Sequence, residues 1–116
     1  MQRKFRLTRS EDFQRVRRSG KSYAHPLLVL VVQAGETGQI HVGVAVSRTV
    51  GTAVKRNRAK RLLREAMRTF LPFMPTGFEI VLIARPPLAA CSMPEVRDAL
   101  LKLLRRAALI APPDAA

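Results

Sequence analysis

The segment 52–70 constrains this chain more than any other. Ala59, Leu62, Leu63, Ala66, Met67 and Phe70 recur at the three- and four-residue spacing of one helical stripe. At about 100° per residue, Asn57, Arg61, Arg64 and Arg68 fall on the opposite side, with Arg58 and Lys60 flanking the stripe. Such a helix has to bury its apolar side against a sheet or another helix while holding a row of cations in solvent. Thr52 is placed to cap it after the turn at Gly51, and Pro72 and Pro75 follow its end.

The remaining segments supply the partners. Leu27–Ala34, rich in Val and Leu, predicts a buried strand, Gly35–Gln39 a turn, and Ile40–Val46 a second strand paired with the first as a hairpin. In that second strand Ile40, Val42, Val44 and Val46 share one face and His41, Gly43 and Ala45 the other. The second face is small enough for a backbone, helix or ligand to come close. Phe78–Ala84 predicts a third strand, ended by Arg85-Pro86-Pro87. Ser92 and Glu95 form a capping box for a last helix carrying Val96, Leu100, Leu103, Leu104 and Ala107. Near the start, Ser10 reads as an N-cap, Glu11 and Asp12 suit the positive end of a helix, and Gly20 suits its stop. One further short strand fits Lys21–His25. The fold class expected is α+β, an α/β sandwich with a small mixed sheet in the order α-β-β-(β)-α-β-α, its helices over one sheet face. A chain of 116 residues makes a single domain, here residues 1–110 with 1–9 as a basic arm and 111–116 as a disordered tail.

Charge narrows the function. The formal net charge is +13, and it is focused. Residues 1–23 carry eight basic residues against two acidic ones, and residues 47–68 carry eight against Glu65 alone. A merely soluble surface mixes its signs, so two such blocks point to a polyanionic partner. Helix 52–70 also breaks a local rule. Lys55, Arg56 and Arg58 crowd the N-terminal turns, where the helix dipole favours anions, and like charges recur at three- and four-residue spacings. An RNA backbone turns that penalty into attraction, because Arg and Lys displace its counterions. The excess of arginine over lysine suits bidentate phosphate contacts.

Other function classes fall away. The longest apolar run, Leu27 to Val32, is too short to cross a bilayer and lacks the context of a signal peptide, so a soluble cytoplasmic protein is expected. A basic membrane-surface protein would leave its apolar stripe uncovered, whereas strands here match the stripe. Cys91 is the only cysteine, which excludes an internal disulfide or a multi-cysteine metal site. His25 and His41 belong to different segments and the eight acids are scattered, so neither a catalytic constellation nor a metal site is expected. Phe13 admits two readings: a core residue anchoring the first helix beside Val16, or a platform on which a single-stranded base stacks, with Arg17 and Arg18 tracking phosphates.

The run Val50-Gly51-Thr52-Ala53-Val54-Lys55-Arg56-Asn57-Arg58-Ala59-Lys60-Arg61-Leu62-Leu63-Arg64-Glu65-Ala66 resembles the "RNR" signature of the bacterial ribonuclease P protein component. Asp12-Phe13, Val16, Gly20-Lys21, Val44-Ala45-Val46-Ser47 and Ile83-Ala84-Arg85-Pro86 match in the same order, so the likeness covers roughly residues 4–108. Thr52 stands where that family usually has Asn, and Arg17 and Val31 stand where relatives often carry aromatics. The resemblance implies a fold like the second domain of ribosomal protein S5, with a left-handed βαβ crossover where base rates alone favour a right-handed one. It implies a non-catalytic subunit of an endoribonuclease whose RNA removes the 5′ leader of precursor tRNA. The implied RNA-subunit contacts are Lys55, Arg56, Asn57, Arg58, Lys60, Arg61, Arg64 and Arg68. The implied leader contacts are Phe13, Arg17, Arg18, Tyr23 and Arg48. Magnesium is held mainly by the RNA, and neither a small-molecule substrate nor a membrane is implied. The alternative is a ribosomal or other structural RNA-binding protein without a processing role.

Overall fold

The computed structural model describes residues 6–111 except 8, 36 and 37. The arm expected at 1–9 therefore enters only through Arg6, Leu7 and Arg9, and the tail expected at 111–116 only through Ala111; the rest of both lies outside the described residues. The elements run α1 (Ser10–Ser19), β1 (Lys21–Ala24), β2 (Leu28–Ala34), β3 (His41–Val46), α2 (Ala53–Phe70), β4 (Phe78–Ala84) and α3 (Met93–Arg106), with short 3-10 turns at Arg48–Val50, Leu71–Phe73 and Pro86–Ala90.

The strands form one mixed sheet in the order β1-β2-β4-β3. This corrects the hairpin expected between β2 and β3. β2 pairs antiparallel with β1 and β4, while β3 pairs parallel with β4 across the α2 connection. The real hairpin is β1–β2, closed by the His25 N–H donating to the Leu28 carbonyl at 2.9 Å. The inserted strand, β4, carries the run Ile80-Val81-Leu82-Ile83, and a central position gives it a neighbour on each edge and cover on both faces. The turn leaving β2 passes round the start of β4, where Gly35 N–H donates to Gly77 O (2.8 Å) and Gly77 N–H to Gln39 O (3.2 Å).

The helices lie on both faces rather than one. Leu28, Leu30, Val42, Val44, Ile80 and Leu82 meet the stripe of α2 (Ala59, Leu62, Leu63, Ala66, Met67) and that of α3 (Val96, Ala99, Leu100, Leu103, Leu104) in the main core. On the other face Val31 and Val81 pack with Val16 of α1 and with Leu7. Both caps of the long helices form as expected: Thr52 Oγ1 accepts from Lys55 N–H at 3.3 Å, and Ser92 and Glu95 close a reciprocal capping box. Ser10 does not cap α1. It is the first helical residue, and extended Arg9 precedes it without a side-chain bond. Glu11 and Asp12 supply the acidic first turn instead. Gly20 ends α1 at a negative φ of -78°, and space is the reason for glycine there: a Cβ would stand 2.6 Å from Val16 O and 2.8 Å from Val31 Cγ1.

Candidate nucleic-acid interface

Register divides the side chains between the two faces. In the row Ser22, Val31, Val81 and Gly43 the last three lie under α1, and in the row Gln33, Glu79 and His41 the first two meet Arg15 of α1. The next row, Ala24, Val29, Ile83 and Ala45, extends beyond α1; Val29, Ile83 and Ala45 are half-buried and Ala24 is exposed. One of these three rows is therefore open. Its floor is apolar and shallow, and Arg48 and Arg85 follow just past the ends of β3 and β4.

Phe13 stands at the border of that floor. Its ring lies on the backbone of Gly43, so close that a Cβ there would stand 2.5 Å from Cζ and 2.7 Å from Cε1. No residue but glycine admits the ring in this seat. Phe13 is half-buried and packs against Leu7, Val16, Val31 and Val81, yet it also lines a groove with Arg6, Leu7, Val42, Val44 and Arg64. The ring fills part of the small core, and part of it faces a cation-lined groove.

The groove continues along α2. Arg6 and Arg64 also face Asn57, Lys60 and Arg61, and Asn57 and Lys60 in turn adjoin Arg56, Ala53 and Val46. Glu65 is the single acid on this wall, and it pairs only loosely with Arg68, at 3.7 Å. Burial, and after it the like charge of Arg6, pushes the Arg64 guanidinium below its ordinary value. An anion entering here would relieve that repulsion. Arg68 extends the wall as an exposed residue of the last turn of α2, while Lys55 is exposed at the helix start with its side chain beside Gly51, and the neighbouring Val54 is 78% exposed.

Two of the expected site residues lie elsewhere. Arg58 turns to the other side of the α2 stripe, where its Nε–H donates to Ala89 O at 2.9 Å and its Nη2 to Cys91 O at 3.4 Å. These carbonyls end the Pro86–Ala90 turn, so Arg58 ties α2 to that turn rather than joining the groove. Tyr23 pairs in register with Leu30 and packs on the main core, so it faces away from Phe13. Its ring is flanked by Lys21 Nζ at 5.5 Å and the Arg106 guanidinium at 6.0 Å. Arg17 and Arg18 are exposed in the last turn of α1, and Arg48 is exposed in the turn that Ser47 caps.

Three contributions were missed at the sequence level. Leu7 is buried, and its N–H donates to Val42 O at 2.8 Å while Arg6 bridges to Val42, so the end of the arm covers the β3 edge. Gly43 and Phe13 are joined by nothing local in the sequence. Arg15, one of the basic block, is turned inward onto Glu79 and Asp12. The signal for that pair was Glu79 itself, a lone acid inside an otherwise apolar strand.

The histidines and the cysteine have structural partners. His25 Nδ1 accepts the Leu27 N–H within the β1–β2 turn (3.1 Å), and His41 lies on β3. Cys91 is buried, its Sγ donates to Pro87 O at 3.4 Å, and burial pushes its thiol pKa up. No cluster of three or more His, Cys, Asp or Glu able to hold a metal occurs among the described residues.

Comparison with known proteins gives a consistent result. The family model described as Ribonuclease P matches residues 1–108. A ribonuclease P protein component of Chloroflexus aurantiacus is 40% identical over 114 residues, covering 97% of this chain and 84% of the relative. The RNase P protein of Staphylococcus aureus superposes with a TM-score of 0.81 at 27% identity, over 91% of this chain and 97% of that one. That of Thermotoga maritima gives 0.77 at 33% identity, over 87% and 96%.

Proposed function

The chain belongs to the ribonuclease P protein family, and from that premise we propose that it binds two RNAs on adjoining surfaces. The wall of α2, with Arg56, Asn57, Lys60, Arg61 and Arg64 joined by Arg6 and extended by Arg68, takes the phosphates of the ribonuclease P RNA together with Lys55 at the helix start. A rigid helix presents a fixed charge array, which suits a folded RNA. The open row of the sheet face takes the single-stranded 5′ leader of precursor tRNA. There Phe13 offers a ring to an unstacked base, and Arg17, Arg18 and Arg48 follow the backbone.

The observation that carries this reading is one groove lined by both Phe13 and the Arg6–Arg64 pair, continuous with the α2 wall. Stacking and phosphate neutralisation are thereby adjacent, as a strand leaving a folded RNA requires. The RNA holds the magnesium ions that supply the hydrolytic chemistry. The protein neutralises charge and positions the leader. Reconstitution with a ribonuclease P RNA at low magnesium tests the proposal. The protein should raise cleavage and substrate affinity, and more so for precursors with leaders several nucleotides long. Unchanged cleavage and affinity would return the chain to a structural RNA-binding role.

A further inference from the structure

Helix α1 is weakly anchored by burial. Val16 is its only fully buried side chain, and the helix is ten residues long. Apolar contact at one point fixes neither the roll of a helix nor its axial position, because the hydrophobic effect is non-directional. Directional contacts exist on each flank of Val16. On one flank Phe13 sits on Gly43 of the edge strand β3. On the other, Arg15 reaches Glu79 at the start of β4; about 200° separates the two residues around the helix. Both terminal nitrogens of Arg15 are engaged. Nη1 donates to Glu79 Oε1 at 3.2 Å and to Gln33 Oε1 at 3.3 Å, while Nη2 donates to Glu79 Oε2 and, at 3.1 Å, to Asp12 Oδ1. Glu79 is the one buried charged residue among those described. A bidentate pair of this kind fixes orientation as well as distance. The hydrogen bonds to Glu79 and then Asp12 push the Arg15 guanidinium above its ordinary value, so it stays charged.

We propose that Arg15 and Glu79 are positioning residues: their ion pair sets the roll of α1 about Val16 and so holds the Phe13 ring on Gly43 in the orientation that receives a leader base. The proposal rests on the leader reading above. A basic residue of the helix that carries the platform thus serves to aim a ring, and no phosphate contact is assigned to it.

The test uses the full chain assembled with ribonuclease P RNA and two precursors, one with a long leader and one trimmed to a single nucleotide. Glu79→Gln removes the charge without leaving an unpaired ion in the interior. It should raise KM for the long-leader substrate about five- to tenfold, within the range that stacking supplies, with kcat and RNA-subunit affinity unchanged. The trimmed substrate should be unaffected. Phe13→Ala in the Glu79→Gln background should add less than about twofold, because the ring is already misplaced. Hydrogen exchange of the free protein should show lost protection in α1 with α2 and α3 intact. If Glu79→Gln unfolds the chain, Arg15→Lys carries the same test, since it keeps the charge pair and loses only the fork; a smaller loss in the same direction is expected. Additive losses from Phe13 and Glu79, or equal losses on both precursors, would overturn the positioning role. Phe13→Ala alone separates the two readings. If it treats both precursors alike, the leader reading falls and the proposal with it. If it discriminates while Glu79→Gln does not, only the positioning role falls.

Discussion

On one face of the sheet, α2 and α3 close over the strands and 24 of the described residues are buried in a single cluster; on the other, α1 covers two rows and four of them are buried. The closed face has the matched periodicities of a stable core, with stripe against strand and capped helices above. The other face has small residues, a single short helix and an open row at Ala24, Val29, Ile83 and Ala45. A sheet whose stability comes mainly from one side is free to keep the other side accessible. In this chain the accessible side is also where the ring of Phe13 and the cations of Arg6 and Arg64 converge.

The largest expected effect tests that asymmetry directly. Leu63 and Leu100 are fully buried on the closed face, and Leu63→Ala or Leu100→Ala should cost about 2–5 kcal/mol in urea melts, through lost transfer energy and the cavity left behind. Val29→Ala, in the open row, should cost a small fraction of that. Comparable losses would mean that the open face contributes equally to stability and is not spare surface.

Gly43→Ala sharpens the comparison from the open side. The added methyl would collide with the Phe13 ring, so the ring must leave its seat while the main core is untouched. Affinity for a long-leader precursor should fall by much of the roughly 1–3 kcal/mol that base stacking provides, with holoenzyme assembly unchanged in a binding titration. A variant that unfolds instead would make Phe13 a core residue first.

How much of this was legible depends on whether the information was local. The α2 stripe, the Thr52 cap, the Ser92–Glu95 box and the β4 run each depend on spacings within one segment, and each stands where the spacing places it. The strand order depends on pairing across the chain. Residues 35–39 read as a hairpin turn because no local feature reveals that β4 fits between the strands the turn connects. The resemblance places Tyr23 with Phe13 among the leader contacts, but its side of the sheet follows from register with Leu30, which the sequence does not display. Arg58 belongs to the most recognisable motif in the chain, yet its guanidinium is held by two carbonyls more than thirty residues away. A family signature thus identifies the helix without separating the arginines that build the fold from those left for RNA.

That separation yields a medium-sized effect. Arg61 is exposed on the groove wall, so Arg61→Ala should weaken RNA binding and lower the salt slope by about one. Arg58→Ala should leave the slope nearly unchanged. It should instead lower stability by about 0.5–1.5 kcal/mol for each hydrogen bond lost between α2 and the Pro86–Ala90 turn. Binding measured over a range of salt, alongside thermal melts, distinguishes the two. A full unit of slope lost at Arg58 would put it back among the phosphate contacts.

The smallest effect concerns acid, and it belongs to the closed face. Hydrogen bonds from the Ser92 side chain, then from the Ser92 backbone, hold the Glu95 carboxyl below its ordinary value of 4.5. A carboxylate with a depressed folded-state pKa adds stability above its unfolded value, and that contribution disappears as pH falls through the folded value. The start of α3 should therefore loosen only below about pH 4.5, while the Arg15 guanidinium on the opposite face stays charged throughout. Glu95→Gln keeps a capping side chain and removes the titration. Its melting temperature should lie below that of the parent near neutral pH, and the two should converge as the solution is acidified past that value. Each exposed capping bond is weak, so the gap will be narrow and best measured as a difference between paired melts. A gap that persists in strong acid would show that glutamate's contribution here is one of shape rather than charge.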